Sequence, residues 1–135
     1  MESRPIPFDE WPLAMEQFSR IHRGKPARVE TTAAERAITA ANARELPLIG
    51  VTDERAIVGN DEPERIHVVL GGATDPHVDH VIPRPSEVRL AEWNDGYSAL
   101  LQIESEEGWQ TNVRVGPQEQ MLPPGVILDG LLQQH

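Results

Sequence analysis

From Glu64 to Val115 the chain is written in short apolar runs interleaved with polar residues: Arg65-Ile66-His67-Val68-Val69-Leu70, Glu87-Val88-Arg89-Leu90, Ala99-Leu100-Leu101-Gln102-Ile103 and Trp109-Gln110-Thr111-Asn112-Val113. Gly, Asp and Asn turns separate these runs. Successive side chains on a strand point to opposite faces, so a period of two bounded by turn residues specifies antiparallel strands with one face buried. A small sheet of this kind must close on itself or cover its edges, because unpaired edge amides and carbonyls recruit other strands. The expected fold is α+β but mainly β: a small antiparallel β-barrel or rolled sheet with an N-terminal helix packed over it.

The helix is read from Pro7-Phe8-Asp9-Glu10-Trp11-Pro12 onward. Asp9 is the expected N-cap, and Pro12 is tolerated because first-turn amides have no intrahelical partner. Trp11, Met15, Phe18 and Ile21 recur at spacings of four, three and three and form the expected apolar face. Gly24 is placed as the C-prime residue, with Arg20, His22 and Arg23 near the C-terminal dipole. A strand over Ala27 to Thr31 follows Pro26. The stretch Thr32 to Arg44 combines helix-favouring and strand-favouring composition and is read as a turn plus a return strand. Arg44 to Val51 reads as a strand bent at a barrel corner, with Leu46, Leu48 and Val51 available for burial and Pro47 breaking the ladder.

Further on, Gly59-Asn60-Asp61-Glu62-Pro63 and Gly71 to Pro76 are loops. Ile66, Val68 and Leu70 share the inward face, opposite Arg65, His67 and Val69. Val78, His80 and Ile82 share one face of the next strand, and His77, Asp79 and Val81 the other. Pro83-Arg84-Pro85 removes ladder donors and marks an edge, a bend or a change of sheet side. Asn94-Asp95-Gly96 and Glu106-Glu107-Gly108 read as hairpin loops that make the last three strands a meander.

At 135 residues the chain has the length of one domain. The expected organisation is a helix-plus-barrel domain over residues 1–116, then a Pro/Gly-punctuated apolar tail over residues 117–135. In that tail Val126, Ile127, Leu128, Leu131 and Leu132 place five aliphatic residues in seven positions. Leaving each in water forgoes about 1.5–3 kcal/mol relative to burial, so these five are the expected contact with the protein's own barrel, a second copy or another protein.

Charge narrows the partners. Residues 1–50 carry seven acidic and seven basic side chains, and residues 51–135 carry fifteen acidic against five basic, so the net charge of −10 lies wholly in the sheet-forming part. That field repels phosphate backbones and anionic membrane surfaces, and no Arg-aromatic cluster offsets it, so nucleic-acid and membrane partners are not expected. The absence of cysteine excludes disulfides, thiol catalysis and thiolate metal sites and fits a reducing compartment. The first residues enter no apolar segment of signal-peptide length, and no stretch approaches the roughly 20 apolar residues of a membrane span. Cytoplasm is the expected location.

Glu10-Trp11, Phe18-Ser19-Arg20-Ile21-His22-Arg23-Gly24, Val29-Glu30, Arg44-Glu45-Leu46-Pro47-Leu48-Ile49-Gly50-Val51, Ile66-His67-Val68-Val69-Leu70-Gly71-Gly72 and His80-Val81-Ile82 with Pro85 follow one another in an order. Taken together they resemble a domain-of-unknown-function family of small bacterial proteins. The resemblance covers roughly residues 6 to 115 and rests on the order of these motifs, each weak alone. It implies a stand-alone bacterial domain and supports a strand before Arg44. It implies no activity, cofactor or catalytic residue, and the tail after Gly116 lies outside it.

No phosphate-binding loop, zinc-knuckle spacing or nucleophile elbow occurs. The sharpest candidate site is His77-Val78-Asp79-His80 with His67 on a neighbouring strand. Imidazole and carboxylate are the ligands a cysteine-free chain offers a transition metal. Alternation puts His77 and Asp79 on one face and His80 on the other, so a site using His67, His77, Asp79 and His80 requires a bulge or a loop. The more ordinary reading is a loop histidine and a buried, hydrogen-bonded His80. The doublets Asp53-Glu54, Asp61-Glu62 and Glu106-Glu107 do not converge on one face and read as solvated loop charges. Ser19 and His22, three apart on the helix, lack an orienting third group and an oxyanion donor. The expected function is a non-enzymatic binding or assembly module acting on a protein partner or on itself through the tail, without a cofactor. The alternative is a metal-binding protein or metal-dependent enzyme using the His/Asp cluster.

Overall fold

The computed structural model describes residues 2–33, 45–58, 65–72 and 77–116. In chain order these form β1 (Glu2–Pro5), a 3₁₀ turn (Phe8–Glu10), α1 (Trp11–His22), β2 (Pro26–Ala33), β3 (Leu46–Asp53), α2 (Arg55–Val58), β4 (Arg65–Leu70), β5 (Val78–Pro83), β6 (Pro85–Glu92), β7 (Ala99–Ser105) and β8 (Trp109–Val115). The return strand expected over residues 34–44, the loops over 59–64 and 73–76, and the tail with Val126, Ile127, Leu128, Leu131 and Leu132 lie outside the described residues.

Antiparallel pairing gives one sheet in the order β1-β6-β7-β8-β2-β3-β4-β5. The expected meander is present as β6-β7-β8, and its two turns hold Gly96 at φ 68° and Gly108 at φ 88°. Glycine adopts that backbone region without a Cβ penalty. Pro83-Arg84-Pro85 carries the chain from β5, at one edge of the sheet, to β6, next to the other edge. The sheet turns a corner between β2 and β3, where the ladder shrinks to Pro26 opposite Pro47 and Ala27 opposite Leu46. Two facing prolines supply no N–H to extend it. Beyond the corner, a register shift between Leu48 and Gly50 bends β3.

Among the described residues the sheet does not close. Its order ends at β1 and β5, so the expected barrel is corrected to an open sheet. Both edge strands end in proline, β1 at Pro5 and β5 at Pro83, and a proline cannot donate to a closing ladder. Val29, Val88, Leu101, Ile103 and Val113 from the strands before the corner join Leu48, Val51, Ile66, Val68, Leu70 and Ile82 from those beyond it in one buried cluster.

Helix α1 packs on this cluster, but not by the expected face. Trp11, Met15 and Phe18 are buried, whereas Ile21 is 59% exposed and His22 and Ser19 are buried in its place. At about 100° per residue the spacing four-three-four from Trp11 to His22 holds one stripe, while Ile21 falls well to its side. Asp9 is not the N-cap. It lies inside the 3₁₀ turn, the helix begins after Glu10, and no side chain caps it. The C-terminal reading agrees with the structure: Gly24 follows the C-cap Arg23 with φ 87° and donates to Leu48 O. No helix among the described residues is long and apolar enough to cross a membrane.

Candidate functional site

The ladder β3-β4-β5 sets the register Thr52–His67–Val81 and Gly50–Val69–Asp79 on the face away from the buried cluster. His67 and Asp79 are therefore diagonal neighbours. Glu54, just past the end of β3, reaches the same ring from the other side. His67 Nε2 lies 2.8 Å from Glu54 Oε2, and His67 Nδ1 lies 3.1 Å from Asp79 Oδ2. Arg65 Nε donates to the same Glu54 oxygen at 2.9 Å. The result is a carboxylate–imidazole–carboxylate bridge across three successive segments, half-shielded from water.

Two facing carboxylates favour the charged ring. The Glu54 hydrogen bond, and then Asp79, raise the His67 pKa above its ordinary 6.5 against a smaller opposing effect of burial. The same hydrogen bond holds the Glu54 carboxyl below its ordinary range, with Arg65 assisting. An imidazolium donating from both nitrogens has no lone pair for a metal or a substrate proton. In this geometry the bridge ties β4 to its two neighbours.

The other members of the expected cluster part company with this pair. His80 faces the buried side, opposite Val68. His77 precedes β5 and lies against Gly71, where an added Cβ would come within 2.7 Å of His77 Cδ2. Of the four residues His67, His77, Asp79 and His80, the structure joins only His67 with Asp79. Among the described residues no group of three or more His, Cys, Asp or Glu side chains is arranged to hold a metal ion.

Glu54 was missed because the Asp53-Glu54 doublet reads as solvated charge. Alternation does send the two carboxylates to opposite faces, but neither is free. Asp53 is fully buried and receives Arg55 N (2.9 Å), Nε (3.1 Å) and a terminal guanidinium nitrogen (2.9 Å). The Arg55 guanidinium also donates to Phe8 O at 2.7 Å and lies 4.1 Å from the Phe8 ring centroid. The available sequence signal was the i, i+2 spacing of Asp53 and Arg55. Glu107, in contrast, is solvated as expected, paired with Arg84 at the surface.

Ser19 and His22 do not form a catalytic pair. The Ser19 hydroxyl donates to Met15 O (2.8 Å), with Val51 O at 3.0 Å, and accepts from Val51 N–H (2.7 Å). It thereby fastens α1 to β3 over Gly50, whose Cβ position lies 3.5 Å from Ser19 Oγ. His22 Nδ1 sits 3.2 Å from Lys25 Nζ. Burial, reinforced by the lysine charge, pushes the His22 pKa down to about 4.

The structure also forms a cleft of about 150 Å³ where β5 nears β7 and β8. It is lined by His80, Val81, Ile82 and Pro83 of β5, Thr31 of β2, Ser105 of β7, Trp109 and Thr111 of β8, and Glu107 of the turn between β7 and β8. No sequence motif marked this convergence, since its residues come from four separate strands. No family model matches this chain, and no curated protein or solved structure matches it.

Proposed function

We propose that this protein is a non-enzymatic binding or assembly module that associates with a second copy of itself through its C-terminal tail. The observation that carries the reading is the open sheet: among the described residues β1 and β5 each have one strand neighbour. An edge strand offers unpaired N–H and C=O groups to an added strand. Of the two, β5 is the longer and carries the exposed Val81. The aliphatic run Val126, Ile127, Leu128, Leu131 and Leu132 supplies the apolar area that such an association buries.

The state of the polar side chains supports the non-enzymatic part. Ser19, Asp53 and His67 each spend their hydrogen-bonding capacity on neighbours that hold elements together. A nucleophile or base needs a free lone pair near a space for substrate. The acidic surface directs the association toward neutral or basic partners, and the cysteine-free composition fits a cytoplasmic setting.

The test compares the full chain with a chain ending at Gly116 by native mass spectrometry and by light scattering across a concentration series. Self-association of the full chain, lost on truncation, is the expected result. Equal masses for the two chains at every concentration would remove the tail from the proposal.

A further inference from the structure

The strands before the corner bury side chains on both of their faces. Register aligns Ser3, Ala91, Leu100, Arg114 and Arg28 in one row across β1, β6, β7, β8 and β2, and the next row sets Asn112 opposite Glu30. Alternation turns these rows away from Leu101, Val113 and Val29, which belong to the buried cluster. An outer face is ordinarily the solvated one. Here Leu100 is 0% exposed, Ala91 1%, Asn112 7% and Arg114 8%, and neither Leu100 nor Ala91 belongs to that cluster.

No element among the described residues accounts for this cover. Helices α1 and α2 pack against β3, α1 through Trp11, Met15 and Phe18 on the core side. Strand β5 also nears β7 from the core side, where Thr31 and Thr111 share the facing of Val29 and Val113. The arginine stems of the outer face are not a sufficient lid. An arginine laid over Leu100 would keep its own head in water, whereas Arg114 is itself buried, turned toward Glu30.

We infer that the segment Val126–Leu132 of the same chain lies over this outer face and covers Leu100 and Ala91. The point of exit favours it. Gly116 continues the outward series of Asn112 and Arg114, and its Cβ position lies 2.6 Å from Ser98 Oγ, beside the start of β7. From Gly116 the chain to Val126 reaches up to about 33–36 Å, against about 10 Å for the two strand spacings from β8 to β6. Pro123-Pro124-Gly125 then supplies a turn that sends the aliphatic run back across the sheet.

Composition selects this segment over the others outside the described residues. Residues 34–44 contain Ile38 as their one large aliphatic side chain and would bring Arg36 and Arg44 toward Arg28 and Arg114, and residues 59–64 and 73–76 contain no large aliphatic side chain. Residues 117–135 bring Val126, Ile127, Leu128, Leu131 and Leu132, with Glu119 and Asp129 and no lysine or arginine. Those two carboxylates suit a row that holds two arginines and no acid, where Arg28 Nε is buried without a hydrogen-bond partner among the described residues.

The docking is independent of association. Its consequence rests on the association reading: the tail must leave its own sheet, or be exchanged for the partner's, before two copies join. Because the chain has no cysteine, Gln133→Cys accepts a nitroxide at one site of the full protein. At a dilution where native mass shows single chains, the nitroxide should broaden the ¹⁵N-amide signals of Ala91, Leu100 and Asn112 several-fold more than those of Thr52, His67 and Val81. Adding Leu128→Asp and Leu131→Asp, in a segment outside the sheet, should abolish that difference. Absence of broadening at Leu100, broadening centred on Val81 or on Leu13 and Ile21 of α1, or broadening that survives the two aspartates would each overturn the assignment. A mixture of nitroxide-bearing ¹⁴N chain with unlabelled-cysteine-free ¹⁵N chain separates the two readings. Broadening of Leu100 only in the mixture would replace docking within one chain by contact between copies, whereas broadening within one chain and a mass that never rises with concentration would retain the docking and remove the association.

Discussion

Arg55→Met is the most telling substitution, because it separates a buried ion pair from a surface one. The side chains of Arg55 and Asp53 are 9% and 0% exposed, and three N–H groups of Arg55 converge on the Asp53 carboxylate. Methionine keeps much of the aliphatic bulk but removes two of those donors, the bond to Phe8 O and the cation over the Phe8 ring. The carboxylate is then left buried with one backbone N–H. Breaking a buried pair from one side costs about 3–5 kcal/mol, whereas an exposed pair is worth about 0–1 kcal/mol. For a chain of this length that lowers Tm by roughly 10–15 °C, a large share of the about 5–15 kcal/mol that stabilises a typical domain. Replacing both partners, Asp53→Leu with Arg55→Met, removes the stranded charge and should recover most of the loss, the remainder being the Phe8 contacts. Urea unfolding of the wild type, the two single variants and the double variant gives the coupling energy directly. If Arg55→Met costs less than about 1 kcal/mol, the pair behaves as a solvated one and the burial argument fails.

The His67 bridge should make stability depend on pH from both sides. With its pKa raised, His67 contributes fully below 6.5 and its contribution fades as pH rises through the raised value; with its pKa lowered, Glu54 contributes above 4.5 and fades as pH falls through the lowered one. The penalty of His67→Ala should therefore peak between 4.5 and 6.5, and an NMR titration should place His67 above 6.5 in the wild type and nearer 6.5 in Glu54→Gln. His22 acts in the opposite sense: with its pKa pushed down to about 4, the unfolded chain binds the proton first, so stability falls as pH drops from 6.5 toward 4. His22→Phe should flatten that part of the urea midpoint-versus-pH curve, and an unchanged slope would count against burial as its cause. Gly116, at φ 111° with its Cβ position 2.6 Å from Ser98 Oγ and 3.0 Å from Ser98 Cα, should lose about 1–3 kcal/mol on change to alanine, read as a fall in Tm.

Alternation along a strand is a local property, set by the pleat, and so the inward Ile66, Val68 and Leu70, the outward His67 and Asp79 and the contrary direction of His80 were all readable from the chain. The glycine-bearing turns of the meander and the helix stop at Gly24 were readable for the same reason, since each depends on a few adjacent residues. Which strands become neighbours is not local. That β5 sits at the far edge from β1, that the sheet stays open, and that Glu54, His67 and Asp79 meet all depend on register across three segments. Burial is equally non-local: the doublet Asp53-Glu54 looks solvated in one dimension because nothing nearby in sequence announces the core behind Asp53 or the imidazole in front of Glu54. Ile21 and His22 exchanged places because residues one apart on a helix differ by about 100° in direction, and only the position of β3 settles which of them is covered. Local backbone chemistry thus wrote the strands, turns and facing of side chains, while the choice of neighbours, and with it every polar pairing and the cleft beside β5, came from packing the whole chain around one core.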